Sequence, residues 1–355
     1  MRIAFFTKYH EDGASSRCRS YRYAPYFEAA GHTCAFFPLM YEGYAADLYE
    51  GRRKRLKKFA CVLRRMRRVR AARKTFDLLV VEKELAHGLP YFAERLLLGS
   101  GAYTLDFDDA HALRYGRGRI ARRLFGNKID RLSERARVTT VGNRWYFGHI
   151  KKGALQYLPT VIDAALYPLE KFKKEESAVP VIVWIGSPGT VAYLEAFAPV
   201  LSELAKTHAF RLRVVGAALN IPGLDVECAA WDETDEFSQL ANSDIGIMPL
   251  SGTAWEDGKC GYKLIQYMAA GLPTVASPAA ANREITVKGE TGFLAASEEE
   301  WRAVLSRLLT DGGLRRRMGA AGRARALSHY SLQVWGARYA AMLESASGKA
   351  KEKHV

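Results

Sequence analysis

The stretch Trp255-Glu256-Asp257-Gly258-Lys259-Cys260-Gly261-Tyr262-Lys263-Leu264-Ile265-Gln266-Tyr267-Met268-Ala269-Ala270-Gly271-Leu272-Pro273-Thr274-Val275-Ala276-Ser277 decides the fold. The apolar run Asp244–Leu250 ahead of it predicts a strand, and Ser251–Cys260 a polar loop. Gly261–Ala270 predicts a helix stopping at Gly271, a residue type suited to the position just past a helix end. Pro273 opens the next strand. A glycine-containing loop that feeds a helix N-terminus can hold an anion, because free N–H groups and the positive end of the helix dipole meet there. Lys259 and Lys263 add charge at the same end. An ordinary loop–helix unit with two surface lysines has the same spacing, so spacing alone leaves both readings open.

The same alternation continues on both sides. Downstream of residue 178 the predicted strands are Val179–Ile185, Arg211–Val215, Val226–Ala229, Ile245–Pro249 and Pro273–Ser277, with helices at Trp301–Leu309 and Leu314–Leu327. Val179–Ile185 is continuously apolar, as in a strand buried on both faces. Upstream, strands are predicted at Arg2–Thr7, Thr33–Leu39, Leu78–Glu82, Tyr103–Phe107, Val138–Val141 and Leu155–Leu158, with helices at Ser20–Ala30 and Ile120–Arg137. A polar linker, Pro168–Ser177, separates the two series. The pattern predicts an α/β protein of two Rossmann-like, doubly wound domains. Ligands are then expected past the carboxyl ends of the strands, in the cleft between the domains. The expected division is 1–167, 168–330, a helix over 331–345 crossing back to the first domain, and a tail over 346–355. The polar stretch from Ser345 reads as disordered.

A length of 355 residues suits two domains of about 100–200 residues each. With 48% hydrophobic and 26% charged residues the chain is neither disordered nor collagen-like. Its five cysteines (Cys18, Cys34, Cys61, Cys228 and Cys260) are odd in number, far apart and without a CxxC pair. No zinc motif or disulfide framework is expected, and free thiols point to a reducing cytosol. The apolar run at Ile3–Phe6 is too short for a secretory signal. No run approaches the roughly 20 apolar residues of a membrane span. The expected location is cytoplasmic, with any membrane contact peripheral and at the inner membrane.

Charge is concentrated. Arg52–Lys74 holds 13 basic residues and no acidic one, against a formal net charge of +15 for the whole chain, so the remainder is near neutral. Within it, Leu56, Phe59, Ala60, Val62, Leu63, Met66 and Val69 fall on one side of a helix, with Arg67 at the edge. A basic amphipathic helix predicts contact with an anionic membrane surface. A solvated helix packing its apolar side on the first domain fits the same pattern. No nucleic-acid motif accompanies the charge, and no nucleic-acid partner is expected.

The stretch quoted above resembles the C-terminal signature of glycosyltransferase family 4, the group 1 transferases, in which an acidic loop leads into "EAMAxGxPVVAS". Asn282-Arg283-Glu284-Ile285 and Gly289-Glu290-Thr291-Gly292-Phe293-Leu294 resemble its continuation. Leu158-Pro159-Thr160-Val161-Ile162-Asp163, Asp244-Ile245-Gly246-Ile247-Met248-Pro249-Leu250 and Asp106-Phe107-Asp108-Asp109-Ala110 are further similarities, the last to a bacterial branch. The resemblance implies the two-domain GT-B fold and a retaining glycosyltransferase of hexosyltransferase type. Its donor would be a nucleotide-sugar and its acceptor lipid-linked or an oligosaccharide, in cell-envelope polysaccharide or glycoconjugate synthesis. No cofactor and no metal are implied.

Carried over by position, the family's acidic pair falls at Gly258 and Gln266, and neither is an acid. Gln266 can still hydrogen-bond the ribose hydroxyls; Glu256 or Asp257 would have to replace the acid missing at Gly258. The loop Gly186-Ser187-Pro188-Gly189-Thr190 lacks the usual Arg and Lys for the diphosphate, which leaves Lys259 and Lys263 as the candidate cations. The expected donor-binding set is Gly186, Ser187, Thr190, Asp257, Gly258, Lys259, Cys260, Gly261, Tyr262, Lys263, Leu264 and Gln266, with Glu256 as a catalytic candidate.

In the first half, Gly13, Ser15, Ser16, Arg17 and Arg19 follow the first strand. Gly13 permits a turn and either serine can cap a helix. The resemblance assigns this loop acceptor and phosphate contacts, with Arg17 and Arg19 favouring phosphate. Asp108, Asp109 and His111 are the other catalytic candidates, for positioning an acceptor hydroxyl or stabilising a developing cation. Asp106-Phe107-Asp108 also has the form of a DxD metal motif, discounted because the phosphate-binding features lie in the second half. Glu82-Lys83-Glu84 ends a strand as an ion-pair cluster or as part of the site. The rival to transfer is a non-catalytic nucleotide- or nucleic-acid-binding protein on the same fold, favoured by Gly258 and Gln266.

Overall fold

The computed structural model describes residues 1–44, 47, 52, 54–115, 119–174 and 179–348. The chain divides into two compact units. The first holds Met1–Val161, Gly258–Cys260 and the stretch from Leu332; the second holds Ile162–Asp257 and Gly261–Ser331.

In the first unit, β1 (Arg2–Phe6), β2 (Thr33–Phe36), β3 (Leu78–Glu82), β4 (Tyr103–Phe107), β5 (Thr139–Val141) and β6 (Leu155–Tyr157) form one sheet in the order β2-β1-β3-β4-β5-β6. All pairings are parallel. β3 and β4 are buried at every position, which is why Leu78–Val81 reads as a continuous apolar run. One face packs Phe6, Leu79, Val81, Leu105 and Phe107 against Leu97 and Leu132. The other packs Ile3, Phe5, Leu78 and Val80 against Tyr23, Phe27, Leu332, Tyr339 and Leu343. The order reverses between β1 and β3, so a crevice is expected past their carboxyl ends.

The second unit repeats the plan. β7 (Val181–Ile185), β8 (Arg211–Val215), β9 (Val226–Ala229), β10 (Ile245–Met248), β11 (Thr274–Ala276) and β12 (Gly292–Leu294) form a parallel sheet ordered β12-β11-β10-β7-β8-β9. Leu194 and Leu201 of the helix Ala192–Ala205 and Leu305 and Leu308 of Glu298–Thr310 cover one face. Leu264 and Met268 of the helix Tyr262–Ala269 cover the other. The switch point lies between β7 and β10, whose following loops are Gly186–Thr190 and Leu250–Gly261.

Several elements differ from the sequence reading. β12 was not expected. The helix predicted at Ser20–Ala30 is a 3-10 turn Tyr21–Tyr23 and a helix Ala24–Ala29 with Pro25 in its first turn, and the loop ahead of it holds a further helix, Ala14–Arg19. Ile120–Arg137 is two helices, Arg119–Phe125 and Lys128–Arg135. The C-terminal helix Leu332–Ser347 runs through Ser345, where disorder was expected; residues 349–355 of that tail lie outside the described residues. So do 175–178 of the linker.

The basic helix spans Arg55–Thr75, and its buried face is Cys61, Arg65, Val69 and Ala72. The expected single apolar stripe is therefore divided. Leu56 (86% exposed), Phe59 (64%) and Leu63 (42%) lie on the solvent side together with Arg64, Arg67, Arg70 and Lys74. Arg65 faces inward, donating to the Thr7 carbonyl and lying over the Phe6 ring. Arg53 lies outside the described residues. Among the described residues no helix is long and apolar enough to cross a membrane. All five cysteines are free thiols.

Candidate functional site

Past the carboxyl ends of β1, β3 and β4, a buried polar cluster forms from Ser15, Ser16, Glu82, Lys83 and Asp108. Glu82 accepts from the Ser16 hydroxyl at 2.6 Å, the Ser15 hydroxyl at 3.1 Å and the Lys8 N–H at 3.0 Å. Lys83 Nζ lies 2.9 Å from Asp108 Oδ1 and donates to Ser15 Oγ at 3.0 Å. Ser15 also donates to Asp108 Oδ2. Lys83 adopts φ 64°, the left-handed region that a lysine rarely occupies, and among the described residues it is the one non-glycine to do so. Such strain persists where surrounding contacts impose it, and it gathers at functional sites. The expected helix cap is absent. Gly13 sits at the N-cap without a side-chain bond, and both serines turn to the acids instead.

The two aspartates titrate apart. Burial raises Asp108, but Lys83 and the Ser15 hydroxyl more than offset it and hold the carboxyl below the ordinary range. Burial lowers Lys83, but Asp108 and Glu82 more than offset it and keep the ammonium charged. Asp109 is raised by burial and by the Asp108 charge. Neighbouring carboxylates pushed in opposite directions are suited to different roles, one ionic and one able to hold a proton.

Three residues expected here are turned elsewhere. Arg19 is 1% exposed, bonds Asp106 with Nε at 2.9 Å and Nη2 at 2.5 Å, and donates to the Leu158 carbonyl. Arg17 is buried and donates to the carbonyls of Glu11 and Asp12. The assignment of both arginines to phosphate is corrected: on the six-residue helix Ala14–Arg19 they lie on the buried side. The pair with Asp106 also removes the DxD reading, since Asp106 is held by Arg19 and Thr140. His111 bonds Glu84 Oε1 at 2.9 Å, a different cluster from that of Asp108.

In the second unit, Gly261 begins the helix Tyr262–Ala269 with φ 67°, a conformation that glycine tolerates without strain. Lys263 Nζ lies 4.2 Å from the centre of the buried Trp184 ring, beside Gly186. Leu264 is core. Gln266 is buried, and its amide has no hydrogen-bond partner among the described residues. After β7, the Thr190 hydroxyl accepts from the Ser187 N–H at 3.2 Å and closes the loop on itself. Glu256, expected to face the sugar, is buried, accepting from the Tyr193 hydroxyl at 2.7 Å and the Thr253 N–H at 2.5 Å. Asp257 accepts from the Ala280 N–H at 3.2 Å, at the start of the helix Ala280–Ile285. Both candidate replacements for the missing acid are thus held by local hydrogen bonds.

Gly258–Cys260 packs with the first unit. The Lys259 carbonyl accepts from Asn143 Nδ2 at 2.8 Å, and the Cys260 backbone hydrogen-bonds Asp109. A Cβ at Gly258 would lie 2.3 Å from Ala110 Cβ, so no side chain fits where the family pattern has its acid. Gly258→Ala is expected to cost about 1–3 kcal/mol through overpacking, read as a lower unfolding midpoint in scanning calorimetry; an unchanged midpoint means the loop moves freely.

Residues 179–311 match the family model described as glycosyl transferases group 1. No curated protein matches the chain in sequence. Sucrose-phosphate synthase from Thermosynechococcus elongatus has a similar structure, with TM-score 0.73, 13% identity and coverage of 99% of this chain and 100% of that one. Anabaena HepE in complex with UDP and glucose gives TM-score 0.69, 14% identity and coverage of 97% and 100%. WaaG, a glycosyltransferase involved in lipopolysaccharide biosynthesis, gives TM-score 0.66, 16% identity and coverage of 96% and 99%. The fold is GT-B. The match over 179–311 and these neighbours support a glycosyltransferase.

Proposed function

We propose that this protein moves a hexose from a nucleoside-diphosphate sugar to a lipid-linked or glycan acceptor, with retention at the anomeric carbon. The observation that carries the reading is the loop–helix unit at Gly261 and Lys263, which lies in the segment matching the group 1 model and at a topological switch point. There the helix N-terminus, with the positive end of its dipole, and the Lys263 ammonium suit a diphosphate. Gln266, with its amide unpaired, suits the ribose hydroxyls. In the first unit, ionised Asp108 suits orientation of the acceptor hydroxyl, and Asp109 suits transient holding of its proton.

HepE was solved with UDP, which makes a UDP-hexose the first donor to try. Purified protein is screened by thermal shift against UDP-, GDP-, ADP-, TDP- and CMP-sugars, because a bound ligand stabilises by mass action. The stabilising donor is then followed for transfer or hydrolysis. Lys263→Ala is expected to unfold at the wild-type temperature without ligand but to bind the diphosphate at least about tenfold more weakly, since a charge-assisted contact contributes about 1.5–3 kcal/mol. Unchanged affinity removes Lys263 from the site. Glu256 held by Tyr193, and Gly258 with no room for an acid, favour the rival of a non-catalytic nucleotide-binding protein. Donor binding without any turnover would establish that rival.

We further propose that the enzyme works on an anionic membrane surface at the cytoplasmic face, through the helix Arg55–Thr75.

A further inference from the structure

Beyond Lys83 the chain leaves the Asp108 cluster and enters a second one built on Glu84. Glu84 Oε1 lies 2.9 Å from His111 Nε2 and 3.2 Å from His87 Nδ1. All three atoms fall within 4.8 Å of one another. Donor atoms about 2.0–2.1 Å from a zinc ion stand roughly 3.0–3.4 Å apart along the edges of its coordination shell; the His87 separation falls within that spacing and the His111 separation just short of it. Glu84 Oε2 is occupied separately, by the Tyr115 hydroxyl at 2.6 Å and by Lys128 Nζ at 2.5 Å. Oε1 therefore remains for a single-oxygen ligand, with its carboxylate already fixed from behind, as outer partners fix metal ligands.

Lys128 is fully buried and serves two buried carboxylates, Glu84 and Glu94, the latter at 2.8 Å. Access exists on one side: the His87 side chain is 58% exposed, while Glu84 and His111 are buried at 4% and 7%.

We propose that Glu84, His87 and His111 form a divalent-metal site of the two-histidine, one-carboxylate type, taking Zn²⁺ in the cell. Two imidazoles with one carboxylate and no thiolate favour zinc, cobalt or nickel over magnesium and calcium. Binding uses the lone pairs of His87 Nδ1 and His111 Nε2. The proton on each of these nitrogens moves to the other nitrogen of the same ring, so both imidazoles bind neutral and no net proton is released. Water completes the shell on the His87 side. The ion would tie the 3-10 turn His111–Tyr115, which follows Asp108 and Asp109, to the end of β3.

The site is tested with chelator-treated full-length protein. Calorimetric titration with Zn²⁺ is expected to show one equivalent bound and a raised unfolding temperature, and Co²⁺ is expected to give visible absorption bands of a low-symmetry site. His87→Ala, at an exposed position, is expected to keep the metal-free unfolding temperature and to lose at least about 100-fold in Zn²⁺ affinity. His87→Cys, which restores a ligand, is expected to recover binding and shift the Co²⁺ spectrum. No stoichiometric uptake by the wild type overturns the proposal. So does equal affinity in His87→Ala, which would place any bound zinc on other histidines.

Discussion

Asp108→Asn is expected to lower the rate of sugar transfer by about 100- to 10,000-fold, the range typical of a lost acid–base or orienting group, while donor affinity stays unchanged. Asp108 follows β4, is buried, and meets Lys83 at 2.9 Å and Ser15 through its second oxygen. The amide keeps the shape but removes the charge. Lys83 is then left with Glu82, 3.8 Å away, as its remaining carboxylate. Breaking one side of a buried ion pair costs about 3–5 kcal/mol, so a drop in stability alone could mimic a catalytic defect. The double variant Asp108→Asn/Lys83→Met separates the two: it removes the uncompensated ammonium and should regain much of the lost stability without regaining turnover. Calorimetry gives the first readout and single-turnover kinetics the second. A single variant within about threefold of the wild-type rate would reduce the cluster to an anchor for the strand ends.

The second large effect concerns the helix Arg55–Thr75. Wild-type protein is expected to bind anionic vesicles strongly at low salt and to release as salt screens the surface. Each basic residue near such a surface contributes about 1 kcal/mol, so changing Arg64, Arg67, Arg70 and Lys74 to Gln should weaken binding by roughly a thousandfold. Arg65 must be spared, because it is 2% exposed and donates into the end of β1; replacing it would disturb the fold. Phe59→Ser and Leu63→Ser should weaken the binding that survives at high salt, since those side chains project beside the charges. Phe92 and Leu96, on the helix Tyr91–Leu98, are exposed as well. If vesicles are ignored at low salt, the helix is only a solvated face and a soluble acceptor follows.

Strands were easier to read than side-chain partners. β3 and β7 stand where their apolar runs placed them to within two residues, because burial on both faces leaves one composition available. β12 was missed because three residues, Gly292–Leu294, carry too little pattern. Helix starts failed where capping was silent: Gly13 offers no side chain, so Ala14–Arg19 was read as a loop whose serines cap the next helix. The loop–helix unit around Tyr262–Ala269 was legible from Gly261 and Gly271, where backbone conformation and helix termination favour glycine. The cluster around Asp108 was legible only in part. Asp108 and the run Glu82-Lys83-Glu84 were visible, but which acid met which base depends on packing across three strand ends. Arg19 looked like a phosphate ligand in the sequence, and only its pairing with Asp106 places it inside. Lys128 gave no signal, since a lysine opening a helix usually points to water.

The helix Leu332–Ser347 contributes Tyr339 and Leu343 to a core whose other members include Phe5 and Phe27, more than 300 residues earlier in the chain. A ribosome adding about 5–20 residues per second delivers that helix only after the second unit. The first unit must therefore wait, with one face of its sheet uncovered, while the whole second unit is synthesised. During that interval the nascent chain exposes Ile3, Phe5 and Val80, and a chaperone that recognises apolar strands has its clearest target there. The second unit, contiguous but for three residues, has no such delay.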